Sequence, residues 1–149
     1  CLKNALQITD AICVTDTGST DSTCSKVEEI FKTLDIPTKL YHDEWKNFGY
    51  NRSNSFNNTV DFCKELGWDL TTTYGLLLDG DMVLKSINFN KEMLTSNGYK
   101  IIQKNSSLEY YNTRFVKLGH PWKCMGVTHE YWDGALTDTL TKSTDWQPF

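Results

Sequence analysis

Two aspartates flanking one glycine, Asp79-Gly80-Asp81, close the apolar run Leu76-Leu77-Leu78. In extended chain, residues two apart leave the same side of a strand, so both carboxylates are expected to face one ligand. Gly80 has no Cβ and lets that ligand approach the backbone. Two carboxylates at the tip of a buried strand repel each other and lose hydration. A hard divalent cation offsets both costs, and magnesium or manganese favours carboxylate and phosphate oxygens. Taken alone, Asp-Gly is also a common way for a strand to turn into a loop.

Three further groups have the chemistry to join such a site. Asp16 ends an earlier apolar run and opens the loop Asp16-Thr17-Gly18-Ser19-Thr20-Asp21. Its carboxylate suits a base or ribose donor, and amides at a following helix start suit an anion; equally, the loop is an ordinary capped strand-to-helix turn. His129 and Glu130 sit in Gly126-Val127-Thr128-His129-Glu130-Tyr131-Trp132. This is not HExxH, because Asp133 stands four residues after His129, so a metalloprotease site has no support. A neutral imidazole can complete a metal shell and a nearby carboxylate can act as general base; a surface turn with an incidental histidine reads the same way. Arg52 follows Trp45, Phe48 and Tyr50, and its planar fork of donors fits phosphate oxygens as well as it fits solvent at a helix start. Trp132 offers either core packing or a stacking face for a sugar.

The elements that must position these residues follow from periodicity. Leu2 to Ile8 reads as the tail of a helix, and Ala11 to Thr15 as a buried strand. Val27, Ile30, Phe31 and Leu34 form one helical stripe, with Ser19 or Thr20 as cap and Asp21 in the first turn. Pro37 stops that helix; Thr38 to Tyr41 can form a second strand, and Tyr50 to Leu66 a second long helix with Gly67 past its end. Thr71 to Leu78 is an apolar run without alternation, as expected of a strand covered on both faces. Tyr99 to Gln103 and Tyr110 to Val116 read as strands around the turn-prone Asn105-Ser106-Ser107, and a polar, aromatic tail follows from Pro121. This order predicts an α/β fold: a mostly parallel twisted sheet flanked by helices, with an antiparallel C-terminal addition. Ligands in such sheets bind beyond the carboxyl ends of the strands, where both acidic clusters fall.

Composition narrows the functions. The 149 residues suit a single domain, with a nucleotide-binding part over about 1–84 and an acceptor and metal-completing part over about 85–149. The net charge of -4 and the lack of a basic stripe argue against nucleic acid. No apolar run reaches the roughly 18 to 20 residues of a membrane span. Five cysteines without CxxC or zinc spacing predict free thiols in a reducing compartment, hence a cytoplasmic location. Sequons at Asn51, Asn57 and Asn105 carry meaning only in a secretory setting.

In combination, these stretches resemble the family 2 glycosyltransferases with the glycosyltransferase A fold, particularly the branch often fused to tetratricopeptide repeats. The matching segments are Ala11 to Asp21, Trp45 to Ser53, Leu76 to Asp81 with its Asp-x-Asp motif, and Trp122 to Trp132, in the family's order. The resemblance implies metal-dependent, inverting transfer of a sugar from a nucleotide-diphosphate donor, a UDP-sugar above all, to a hydroxyl on a glycan, protein or lipid. It implies that Asp16 contacts the base, Asp79 the ribose or metal, and Asp81 a Mn2+ or Mg2+ ion bridging the diphosphate. Arg52 would lie near the phosphates, His129 would be a third metal ligand, and Glu130 the base, with Asp133 as its competitor. The family opens with a strand ahead of the helix in which Leu2 lies, so this chain is expected to be a piece lacking that strand, with a fused or adjacent domain in its parent. Two other readings stay open: a non-catalytic nucleotide- or carbohydrate-binding module of the same fold, and a nucleotidyltransferase, for which a glycine-rich basic loop is missing.

Overall fold

The computed structural model describes residues 1–134 and 146–148. A short helix α1 (Leu2–Ala5) leads into strand β1 (Ile12–Asp16), helix α2 (Thr23–Phe31), strand β2 (Thr38–His42) and the long helix α3 (Phe48–Glu65). Then come β3 (Tyr74–Leu76), a 3-10 turn (Lys91–Met93), the hairpin β4 (Gly98–Asn105) and β5 (Leu108–Lys117), the hairpin β6 (Lys123–Met125) and β7 (Tyr131–Asp133), and β8 (Trp146–Pro148). The fold is mixed α/β.

The sheet differs from the expected one. β1 and β2 form a parallel pair, whereas β3 lies antiparallel to β5 in a four-stranded sheet ordered β3-β5-β4-β8, parallel only at β4–β8. Among the described residues β1 bonds only to β2, and β3 only to β5. Residues of both strands, with α1, line one cavity of about 1050 Å3 between the sheets. The predicted strand over Thr71 to Leu78 is cut short because Asp69 gathers Thr71, Thr72 and Thr73 into a turn through its carboxylate and carbonyl oxygens.

Local chemistry explains most element ends. Asn47 caps α3 by accepting from the Tyr50 N–H at 2.8 Å, which starts the helix two residues before the apolar stripe announces it. Gly67, at φ +73°, sits just past its end. The cap of α2 is Ser22 rather than Ser19 or Thr20. Asp21 therefore precedes the helix, where its carboxylate accepts from the Thr23 N–H at 2.9 Å. The polar tail beyond Pro121 holds the β6–β7 hairpin, missed because three-residue strands carry no usable alternation.

The core joins Phe56 and Cys63 of α3 to Val116 of β5, Leu118, Trp122, Cys124 and Trp132. Trp132 is 8% exposed and packs on Phe56 at a ring separation of 5.9 Å, so it is core and no stacking face for a sugar. Helix α3 meets the β6 segment without a spacer: the Gly49 N–H donates to the Gly126 carbonyl at 3.1 Å. Ser53 Oγ both accepts from the Cys124 N–H, at 2.9 Å, and donates to the Cys124 carbonyl. A Cβ on Gly49 would lie 2.3 Å from the Gly126 oxygen, while one on Gly80 meets nothing within 4 Å. Gly49→Ala is therefore expected to lower stability by about 1–3 kcal/mol, and Gly80→Ala to change it by less than about 0.5 kcal/mol. Urea denaturation midpoints of the two variants check this contrast.

Candidate functional site

Arg52 and Arg114 are the only arginines in the sequence, and both reach the same carboxylate. Arg52, in the second turn of α3, forms an ion pair through Nη1 with Asp79 Oδ1 and donates from Nε to Glu130 Oε1 at 2.8 Å. Arg114 projects from β5, where the Leu77 N–H donates to its backbone carbonyl at 2.7 Å. Its Nη2 lies 3.4 Å from Asp79 Oδ2 and donates to Gln103 Oε1 at 3.0 Å. Asp79 thus bridges two guanidinium groups, one fixed by the helix and one by the sheet.

Burial makes these pairings consequential. Arg114 is 6% exposed, and its Nε finds no partner among the described residues. Burial pushes its pKa down, Asp79 only partly offsets that, and the neighbouring Arg52 charge opposes it as well. Arg52 is also desolvated, yet Asp79 and then Glu130 more than compensate and raise its pKa. The two arginines and two carboxylates balance in formal charge, so neither guanidinium is left without a counter-charge.

The Asp79-Gly80-Asp81 segment is not extended. The Met82 N–H donates to the Asp79 carbonyl at 3.1 Å, closing a turn. The two side chains consequently part: Asp79 is held half-buried by the arginines, while Asp81 is exposed and has no ion pair among the described residues. His129 is exposed on a left-handed backbone at φ 55°. Asp79, Asp81 and His129 do not form a set of ligand atoms within 4.8 Å of one another. Glu130 is half-buried against Arg52, and Asp133 lies on β7 opposite Lys123. Asp81 therefore offers the open carboxylate for a hard cation, and a magnesium site needs only one or two such groups beside substrate phosphates.

Asp16 stands at the carboxyl end of β1. Its Oδ2 accepts from the N–H groups of Gly18 at 3.1 Å and Ser19 at 3.0 Å, which fold the loop around it. Gly18 takes φ +105°, a conformation that favours glycine. The Ser19 hydrogen bonds lead in holding the Asp16 pKa below its ordinary value, against the effect of burial. The structure thus brings Arg52, Asp79 and Glu130 together and adds Arg114, which the sequence reading passed over. Its signal was a lone arginine in the otherwise apolar end of a strand, Thr113-Arg114-Phe115-Val116.

Two outcomes are expected. Arg52→Met and Glu130→Gln, alone and together, should show a coupling of about 0.5–2 kcal/mol in denaturation; a coupling of zero would mean that the pair is not formed in solution. Because folding lowers the Asp16 pKa from its ordinary 3.8, its charged hydrogen bonds stabilise the fold above that value and are lost as pH falls through the folded-state pKa. Asp16→Asn should therefore be less stable than the parent at neutral pH, with the gap closing as pH falls below 3.8 and through the folded-state pKa, as followed by thermal melts across pH. No family model, curated protein or solved structure matches this chain, so the chemistry of the site rests on its own geometry.

Proposed function

We propose that the chain binds a nucleotide-diphosphate sugar, a UDP-sugar above all, beyond the carboxyl ends of β1 and β3 and transfers the sugar to an acceptor hydroxyl. The observation that carries this reading is the convergence of both arginines on Asp79, with Glu130 on the far side of Arg52. A guanidinium held by two carboxylates is a ready-oriented fork for a diphosphate, which can replace the carboxylates as its partner.

In this account Asp16 uses its remaining lone pairs to accept N–H groups of the base. Asp79 orients the arginines and accepts a ribose hydroxyl. Arg52 moves towards the diphosphate, and its withdrawal frees Glu130 to take the proton from the acceptor hydroxyl. That hydroxyl attacks the anomeric carbon as the bond to the diphosphate breaks, a single displacement with inversion. Asp81 would hold a manganese or magnesium ion beside the substrate phosphates; when bound, the ion supplies Lewis-acid stabilisation of the charge on the leaving diphosphate. The acceptor is a glycan, protein or lipid hydroxyl.

Calorimetry with uridine diphosphate, with and without manganese, tests the reading. Binding should require the metal and be lost in Asp81→Ala; absence of binding in both conditions would sink it. With a donor panel, release of the diphosphate identifies a transferase, and Glu130→Gln should lower turnover by about 10²–10⁴-fold. Binding without release would identify a nucleotide-binding module instead, and a preference for triphosphates alone a nucleotidyltransferase.

A further inference from the structure

A second group of chemically capable side chains lies on the β1–β2 pair. Asp16 and His42 are the last residues of the two parallel strands and stand opposite each other in register. Their side chains converge, with His42 Nδ1 4.0 Å from Asp16 Oδ2. Cys24, in the first turn of α2, comes down on the same carboxylate, so that one oxygen, one nitrogen and one sulfur atom lie within 4.8 Å of one another.

The arrangement does not suit a nucleophilic cysteine. The thiol lies against the Asp16 carboxylate, and burial followed by that contact raises its pKa. The nearby charges that act on it, Asp16, Glu28 and Asp21, are all negative. A carboxylate, an imidazole and a thiol converging from two strand ends and a helix start present a divalent cation with three ligand atoms of different type. The mixed set suits a borderline cation better than a hard one, since thiolate and imidazole select zinc-like ions while magnesium keeps to oxygen.

We propose that Asp16, Cys24 and His42 form a three-ligand site for a zinc-class divalent cation, separate from the Asp81 carboxylate and independent of the donor reading. Bonds of about 2.0–2.3 Å in a tetrahedral shell need ligand atoms roughly 3.5 Å apart, so atoms that now lie within 4.8 Å of one another close by about 1.3 Å at most. His42 supplies that movement, being 64% exposed and free to turn towards the buried Asp16. On binding, the Cys24 S–H proton passes to solvent, the sulfur–metal bond forms, and the thiolate and carboxylate charges neutralise the ion. Water takes the fourth position.

Cobalt(II) titration of the 149-residue chain tests the site, since a thiolate ligand gives cobalt a near-ultraviolet charge-transfer band. The expected result is a band saturating at one equivalent and displaced by zinc. It should be absent in Cys24→Ser, weakened at least tenfold in affinity in His42→Ala, and retained in Asp81→Ala. Far-UV circular dichroism identifies any variant that has failed to fold; in that event, protection of Cys24 from alkylation by zinc in the parent chain decides. A band that persists in folded Cys24→Ser, or zinc that leaves Cys24 alkylation unchanged, would overturn the proposal. Neither result depends on whether uridine diphosphate binds, so the two readings fail separately.

Discussion

The ion pairs of Arg52 constrain everything around them. A half-buried guanidinium has given up much of its hydration, and in the absence of Asp79 and Glu130 its charge would be costly where it stands. The two carboxylates come from segments 27 and 78 residues away in the chain, so satisfying the one cation fixes the turn after β3 and the loop before β7 against α3. Arg114 makes the same demand from the sheet side. The charged cluster and the hydrophobic core are thus one construction: Phe56 of α3 and Trp132 of β7 pack in the core, while Arg52, four residues earlier on α3, and Glu130, just before β7, pair with each other.

Close backbone approach makes this possible. With Gly49 against the Gly126 carbonyl and Ser53 bonded to both backbone groups of Cys124, α3 sits too near β6 for any larger residue at position 49. A helix held at that distance can aim Arg52 across the hairpin instead of into solvent. Among the described residues β1 pairs only with β2 and β3 only with β5, and the cavity that both line reaches Asp16 and Leu78 at their carboxyl ends. Trp45, edge-on to Phe48, stays exposed with it at the start of α3.

Much of the fold was legible in the sequence where one element carries its own pattern. The stripe Val27, Ile30, Phe31 marked α2, and Gly67 marked the end of α3, because helical periodicity and left-handed glycine are local properties. The short β6–β7 hairpin and the antiparallel partner of β3 were not legible, since pairing is decided by distant chain and a three-residue strand has no period to read. The site shows the same division. Asp79 stood out in the sequence as a carboxylate after an apolar run, but its closeness to Arg52 and Arg114 is a tertiary fact. The extended-chain argument for Asp79 and Asp81 failed because the Met82 N–H finds the Asp79 carbonyl and turns the chain. The Asp16 segment read as a strand-to-helix turn or a contact for a base or ribose, and the structure adds that Asp16 folds the loop itself by accepting from Gly18 and Ser19, two and three residues on.

The central claim is that Arg52 exchanges its carboxylate partners for a diphosphate. The most direct measurement follows the Nε–H resonances of the two arginines by nuclear magnetic resonance while uridine diphosphate and magnesium are added. The account predicts that the Arg52 signal shifts and saturates with the nucleotide, with a smaller response at Arg114, which stays bonded to Gln103. Nucleotide binding that leaves the Arg52 signal in place would contradict it.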